Sequence, residues 1–218
     1  VQVDTTPPSA PALTLGEASP YEYATGTTLF YNPNGSNSAA FTVSGTSTDA
    51  ESGIDRLSFP SIAGMAGGGD DSSSPYQASY GWDNTATTSP GSLDVTAHDN
   101  AGLTNQSSFT VTKDVDAPAG GSVTYPDGFQ TSTSVTISTA DGNDGSGAGV
   151  DASTGVLERR TATLTNGTCD PFAGAWSPVI TTCFFVGTCV TVPSRWRSGN
   201  MSTLTVLAVR IASSSTIR

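Results

Sequence analysis

Short stretches of alternating hydrophobic and polar residues recur along the chain. They are residues 39–45, 93–98, 107–112, 134–139 and 201–211. Phe41 and Val43 are hydrophobic positions of the first stretch, and Phe109 and Val111 are those of the third. A period of two puts alternate side chains on opposite faces of a β-strand. The pattern predicts half-buried strands whose hydrophobic faces form a core.

Turn-forming residues separate these stretches. The sequence D-N-A-G at residues 99–102 lies between two of them and offers Asn and Gly for positive φ, so it predicts a hairpin. Pro7 and Pro8 lack amide donors, and we expect them in a stiff extended junction. We interpret residues 1–4 as the end of a strand leading into this junction, so we expect further sequence upstream.

The order of these parts occurs twice. The sequence V-D-T-T-P-P at residues 3–8 is echoed by V-D-A-P at residues 115–118, about one sandwich domain later. Each is followed by an alternating stretch and then by an acidic, Gly-rich turn, at residues 48–54 and 142–150. Such a repeat predicts two tandem domains, residues 1–114 and 115–218.

Composition narrows the class of protein and of partner. Only 12% of the 218 residues are charged and 24 are glycines, which favours an all-β fold with many turns. The formal net charge of -11 opposes binding to nucleic acid or to anionic membrane surfaces and favours cations. No apolar run approaches the roughly 20 residues of a membrane span, so we expect no membrane insertion by this segment.

The motifs together resemble the bacterial Ig-like repeats that occur in tandem in large surface and secreted proteins. The resemblance rests on V-D-T-T-P-P, D-A-E-S-G-I and V-T-A-H-D-N-A-G-L-T in that order. It implies all-β, tandem immunoglobulin-like β-sandwiches in an extracellular or cell-surface location. Neighbouring repeats, and glycans or surface proteins, would be the partners, in a non-catalytic spacer or adhesion role. The alternative is a carbohydrate- or protein-binding accessory module of a secreted enzyme.

The second repeat departs from this pattern after about residue 187. No acidic residue follows Asp170, while four of the eight basic residues lie in the last 24 positions. We therefore expect a sandwich that is incomplete at its C-terminal end, and a frameshift near residues 187–189 is one hypothesis for its cause.

Three cysteines occur, all in the second repeat. Cys169, Cys183 and Cys189 leave at least one thiol unpaired. A disulfide, free buried thiols and a metal site are the three interpretations, and the lack of a C-x-x-C pair or a nearby His disfavours the metal. By position in the resembling repeats Cys169 would pair with Cys189, with Cys183 as the alternative partner. Such a bond requires an oxidising compartment.

Acidic side chains on two turns are candidate calcium ligands. They are Asp49, Glu51 and Asp55 on one turn and Asp99 and Asn100 on the other. Hard oxygen ligands on loops suit Ca²⁺, although no EF-hand spacing occurs. Asp114 and Asp116 at the junction are a second candidate pair, but solvated turn carboxylates without a metal are the favoured interpretation of all these residues. We therefore expect no cofactor, with calcium as the alternative.

Catalytic and nucleotide-binding chemistry find little support. His98 is the single histidine and precedes Asp99, but no G-x-S-x-G motif accompanies it. The glycine clusters at residues 67–69 and 145–149 match neither dinucleotide nor P-loop motifs, and we interpret them as flexible turns. We therefore expect a protein that is not an enzyme.

Aromatic residues in the first repeat allow two interpretations. Tyr21, Tyr23, Tyr31, Tyr76, Tyr80 and Trp82 could form a sugar-stacking platform. Trp82 and Trp176 occupy comparable places in the two repeats, which favours packing in the core.

Overall fold

The computed structural model of the chain describes residues 2–126, 136–151, 156–162, 164–165, 168–169, 175–178 and 206–212. Every regular element in these ranges is a β-strand, so the predicted all-β class is confirmed. A search of the same residues finds no helix with the length and apolar character of a membrane span. The chain divides into two compact units.

Residues 2–117 and 145–149 belong to the first unit. Its described strands are β1 (Ala12–Gly16), β2 (Glu22–Thr25), β3 (Thr28–Tyr31), β4 (Ala39–Thr46), β5 (Ile54–Phe59), β6 (Ala66–Gly67), β7 (Gly69–Asp71), β8 (Tyr76–Trp82), β9 (Gly91–Asp99) and β10 (Thr104–Lys113). One sheet has the order β1-β4-β8-β6 and the other has the order β2-β3-β10-β9-β5-β7. Neighbouring strands pair antiparallel except β3 and β10, which are parallel. The predicted hairpin at residues 99–102 connects β9 to β10.

The two sheets share one hydrophobic core. Phe41, Val43 and Val111 are fully buried and Phe109 is 1% exposed, so the predicted inward faces are confirmed. Tyr80 of one sheet packs against Phe109 of the other with ring centroids 6.1 Å apart. The first unit is therefore a β-sandwich. Sheets packed in this way hold the loops at each end of the strands in fixed positions.

Trp82 lies inside this core. It is 4% exposed and its ring packs against Tyr31 at a centroid distance of 5.3 Å. Its indole Nε1 donates a 2.7 Å hydrogen bond to Oε1 of Glu22, and the amide of Ala18 donates to Oε2 of the same carboxylate. Glu22 is 1% exposed, so two donors satisfy a buried carboxylate. Core packing is thus confirmed for Trp82.

The chain crosses from one sheet to the other at Gly67–Gly69. β6 pairs with β8 in the first sheet, and β7 pairs with β5 in the second. A Cβ on Gly67 would lie 1.9 Å from the carbonyl oxygen of Ser79, and one on Gly68 would lie 2.6 Å from that of Pro60. Both glycines have positive φ, 122° and 85°. The segment is therefore a close-packed crossing and not the flexible turn that the sequence predicted.

The N-terminal segment packs on the first unit. Pro8 is fully buried, and its carbonyl accepts a 3.0 Å hydrogen bond from Nδ2 of Asn105. The amide of Ser9 donates to the carbonyl of Thr48 at 2.8 Å. Residues 2–4 contain no strand, so the predicted strand end is not found in the part of the segment that is described. Docking of this segment brings Asp4 to the end of the sandwich.

The second unit is described by itself. Its strands are β11 (Ser122–Thr124), β12 (Ser138–Ala140), β13 (Val156–Ala162), β14 (Leu164–Thr165), β15 (Thr168–Cys169), β16 (Ser177–Pro178) and β17 (Val206–Ala212). They form the sheets β11-β12, β16-β13-β17 and β14-β15. Strand β17 lies at the end of the stretch predicted from residues 201–211, and Ile137 is 2% exposed. The domain boundary after Asp114, the tandem repeat and the incomplete end remain predictions.

Candidate metal centre

Three carboxylates converge at one end of the first unit. Asp4, Asp49 and Asp99 each offer an oxygen, and these oxygens lie within 4.8 Å of one another. They come from the N-terminal segment, from the loop between β4 and β5, and from the end of β9. Like charges at this separation repel by about 3 to 4 kcal/mol per pair at an effective dielectric constant of about 20. A bound cation would convert this repulsion into attraction.

Asp99 is the buried member of the group. Val95 and Ala97 point into the core from β9, and Asp99 follows on the same face with 3% exposure. Its Oδ1 accepts hydrogen bonds from the amides of Ala101 (2.9 Å) and Leu103 (2.8 Å), which shape the hairpin turn. Its Oδ2 is buried and has no hydrogen-bond partner. An unpaired buried carboxylate oxygen costs free energy unless a ligand satisfies it.

In Asp4 and Asp49, as in Asp99, the Oδ1 atom accepts hydrogen bonds from backbone amides of a turn. Oδ1 of Asp4 accepts from the amide of Thr6 at 3.2 Å, and its Oδ2 is buried without a hydrogen-bond partner. Oδ1 of Asp49 accepts from the amides of Ser52 (2.6 Å) and Gly53 (2.9 Å). These bonds lower the pKa of Asp49 below its usual range, and the bond from Ser52 contributes most. The carboxylate of Asp49 therefore stays ionised.

Glu51 ties the N-terminal segment to the Asp49 loop. Its Oε2 accepts hydrogen bonds from the amides of Thr5 (2.7 Å) and Thr6 (3.2 Å), the two residues after Asp4. The bond from Thr5 is the main reason why the pKa of Glu51 falls to about 2. The described contacts make Glu51 a positioning residue for Asp4.

Asn100 ties the other two loops together. Its Nδ2 donates to the carbonyls of Ser52 (2.8 Å) and Gly53 (3.1 Å), and its own amide donates to Gly53 at 3.0 Å. Asn100 therefore holds the turn that carries Asp99 against the loop that carries Asp49.

Sequence reasoning identified two of the three converging carboxylates. Asp49 and Asp99 were candidates and come together, whereas the candidate Asp55 forms an ion pair with Arg56 and lies outside the cluster. Asp4 was missed as a ligand. The sequence feature that could have identified Asp4 was the motif V-D-T-T-P-P, because Pro8 of this motif is buried against the first unit.

The remaining candidates of the sequence do not add to this centre. Asp114 is 6% exposed, and its Oδ2 accepts a 2.7 Å hydrogen bond from the amide of Ala148. Cys183 and Cys189 lie outside the described residues, as does the side chain of Cys169. The disulfide therefore stays a prediction.

His98 and Asp99 point to opposite faces of β9, so they do not form a catalytic pair. His98 instead meets Ser58 on the outer face, with 3.0 Å between its Nε2 and Oγ of Ser58. Oγ of Ser58 donates to Oδ1 of Asp70 at 2.6 Å, and Nδ1 of His98 lies 3.5 Å from NH2 of Arg56. Because the Ser58 hydroxyl donates its proton to Asp70, its oxygen accepts, so Nε2 of His98 carries a proton. This proton points at Ser58, an arrangement unsuited to removing the proton of that hydroxyl.

The sugar-stacking platform, the alternative to core packing, does not form, because half of its members are in the core. Tyr31 and Tyr80 are fully buried, as is most of Trp82. Tyr21 is 39% exposed, and Tyr23 stacks beside Phe30 with ring centroids 6.5 Å apart. Trp176 is half-buried.

Comparison of the chain with protein-family models and with curated proteins finds no match.

Proposed function

We propose that this chain is a non-catalytic structural module of a larger secreted or cell-surface protein. Ca²⁺ held by Asp4, Asp49 and Asp99 fixes its N-terminal segment on the β-sandwich. The module spaces or presents neighbouring domains, and the cation makes the connection on its N-terminal side stiff.

The observation that carries this proposal is the pair of unsatisfied oxygens at the meeting point of three acidic side chains. Oδ2 of Asp4 and Oδ2 of Asp99 are buried and without hydrogen-bond partners, and the cluster lies within 4.8 Å. The network around them is otherwise well satisfied, because Oδ1 of each residue accepts from backbone amides. Two buried carboxylate oxygens without partners, in a cluster of three acidic side chains, favour a bound cation.

The ligand set favours calcium among the common cations. Ca²⁺ takes oxygen ligands at about 2.3–2.6 Å, so oxygens on opposite sides of the ion are about 4.6–5.2 Å apart. Mg²⁺ needs shorter bonds of about 2.0–2.1 Å and near-ideal octahedral geometry. Carboxylates from three separate loops fit the flexible sphere of Ca²⁺ better. Calcium sites of extracellular modules have dissociation constants of about 10⁻⁴–10⁻³ M, so millimolar CaCl₂ is the range in which to test the site.

The strand order supports the interpretation of the first unit as an immunoglobulin-like repeat. Such a domain has strands A, B and E in one sheet and C, F and G in the other. The orders β1-β4-β8 and β5-β9-β10 agree with this assignment. The proposed absence of catalysis is supported by the contact of His98 with Ser58, because the Ser58 hydroxyl already donates its proton to Asp70.

Calcium-dependent stability tests the proposal. The full chain, stripped with EDTA, is melted alone, with millimolar CaCl₂ and with millimolar MgCl₂. At about ten times the dissociation constant, Ca²⁺ adds about 1.4 kcal/mol to the stability of the unit that binds it. We expect a higher melting temperature with Ca²⁺, a smaller change with Mg²⁺, and reversal by EDTA. Equal melting curves in all three conditions would contradict the calcium site.

A further inference from the structure

We infer that Asn34 is a site of spontaneous deamidation, and that this modification releases a tether on the segment that leaves the first unit. Asn34 precedes Gly35 in an exposed loop between β3 and β4. The structure describes no second Asn-Gly pair, since residues 166–167 lie outside its ranges. The inference does not depend on the metal site.

The loop geometry leaves the reacting groups accessible. Gly35 is exposed, has φ of 68°, and has no atom within 4 Å of the position where a Cβ would stand. The backbone around it is held in place, because the amide of Asn34 donates to Oδ1 of Asn32 and the carbonyl of Gly35 accepts from Nδ2 of Asn84. With no side chain on Gly35, nothing shields its amide nitrogen from the carboxamide of Asn34.

The chemistry requires only water. The amide nitrogen of Gly35 loses its proton and attacks Cγ of Asn34. The N–Cγ bond forms as the Cγ–Nδ2 bond breaks, and ammonia leaves with that proton. Water then opens the succinimide at either carbonyl, which gives aspartate or isoaspartate at position 34. No oxidant or reductant is needed.

The carboxamide that reacts also holds a distant part of the chain. Nδ2 of Asn34 donates a 3.2 Å hydrogen bond to the carbonyl of Val115. The preceding residue, Asp114, donates its amide to the carbonyl of Tyr31 at 2.9 Å. After deamidation, position 34 carries only acceptor oxygens, and these cannot bond to a carbonyl. The modification therefore removes one of the bonds that fix the exit from β10.

Peptide mapping tests the modification itself. The intact chain is incubated at mildly alkaline pH and then digested for mass spectrometry. We expect deamidation at Asn34 while Asn37, in the same loop, is still intact. In the variant Gly35→Ala, which adds only a methyl group, the reaction should slow. Equal rates at Asn34 and Asn37, or no effect of Gly35→Ala, would overturn the assignment.

Hydrogen exchange tests the consequence. In Asn34→Asp, peptides covering residues 113–117 should exchange about fivefold faster than in the parent chain, the factor that matches a net hydrogen-bond contribution of about 1 kcal/mol. Asn37→Asp adds the same charge to the loop without touching Val115 and should leave these peptides unchanged. Unaltered exchange in Asn34→Asp would show that the bond to Val115 is no tether. The same acceleration in both variants would show that the effect does not depend on the bond from Asn34 to Val115, and it would overturn the inference.

Discussion

Asp4 and Asp99 lie within 4.8 Å of each other and share one peculiarity, a buried Oδ2 without a hydrogen-bond partner. Each uses its Oδ1 to accept hydrogen bonds from the backbone of its own turn. In a protein of net charge -11, such a meeting of carboxylates weakens the fold in the absence of a cation. At the proposed calcium site, stability would therefore depend on the cation.

Asp99→Asn should therefore have opposite effects with and without calcium. Without calcium, the neutral amide relieves like-charge repulsion, and the variant should be as stable as the parent or more stable. With calcium, it should lose most of the stabilisation, about 1.4 kcal/mol at ten times the parent's dissociation constant. Thermal melts in EDTA and in CaCl₂ measure both effects.

Asp94→Asn is the matched control for this experiment. Asp94 is on the same strand, but its Oδ1 accepts a 2.6 Å hydrogen bond from Ser108 on the outer face. This variant should respond to calcium as the parent does. If Asp94→Asn abolished the response as well, general loss of negative charge would explain the effect, and the site would be wrong.

Glu51 should affect calcium affinity by positioning Asp4. Glu51→Ala removes the acceptor for the amides of Thr5 and Thr6, and we expect the dissociation constant to rise about tenfold, as for outer-shell partners of metal ligands. Glu51→Gln keeps an acceptor oxygen and should restore much of the affinity. Isothermal titration calorimetry with CaCl₂ provides the comparison. Equal affinity in Glu51→Ala and the parent would remove Glu51 from the site.

The alternation of the sequence predicted the inner faces of the strands well, since Phe41, Val43, Phe109 and Val111 are all in the core. Period two is a local property, and burial of one strand face follows from it directly. The convergence of Asp4 with Asp99 is not local. It depends on the burial of Pro8 and on its bond from Asn105, and neither leaves a periodic signal.

The outer-face cluster, formed by Ser58, Asp70, His98 and Arg56, was missed for a related reason. Ser58 and Asp70 meet His98 because β5 lies between β7 and β9, and this strand order cannot be read from a turn motif. The glycines at residues 67–69 carried an ambiguous signal, because a flexible turn and a close backbone crossing both select glycine. Only the neighbouring carbonyls of Ser79 and Pro60 distinguish the two.

Gly67→Ala should destabilise the first unit by about 3 kcal/mol or more, because a Cβ there overlaps the carbonyl of Ser79 and φ of 122° strains any side chain. Gly69→Ala has a similar φ of 108° but no atom within 4 Å of the added carbon. This variant should lower the free energy of unfolding only by the backbone strain, about 1–2 kcal/mol. Urea denaturation of both variants measures the difference. Equal losses of stability in Gly67→Ala and Gly69→Ala would contradict the close backbone crossing at residues 67–69.

The buried bond between Trp82 and Glu22 should contribute measurably to stability. Trp82→Phe keeps an aromatic ring but removes the donor to Oε1, which leaves a carboxylate at 1% exposure with one fewer partner. We expect the free energy of unfolding to fall by about 2–4 kcal/mol. A hydrogen bond to a charged group typically contributes about 1.5–3 kcal/mol of such a loss. A double-mutant cycle with Glu22→Ala, which removes the acceptor, isolates the interaction. Additive effects of the two substitutions would show that the pair is not coupled.

Ser58 should control the acid titration of Asp70. Its hydroxyl is the largest cause that lowers the pKa of Asp70, ahead of the charges of Arg56 and His98. A carboxylate with a lowered pKa stabilises the folded state above its unfolded pKa of 3.8, and this contribution is lost as the pH falls through the folded value. Ser58→Ala should raise the pKa of Asp70 and move that loss to higher pH.

Carboxyl NMR titration of the parent and of Ser58→Ala measures the shift. Asp83 serves as the internal reference, because its pKa is lowered mainly by the Thr85 hydroxyl, far along the chain from Ser58. Its midpoint should be the same in both proteins. If the pKa of Asp70 also stayed the same, the ion pair of Asp70 with Nε of Arg56, at 3.0 Å, would be the dominant cause instead. A rise at Asp70 alone would establish that the outer-face cluster is organised through the Ser58 hydroxyl.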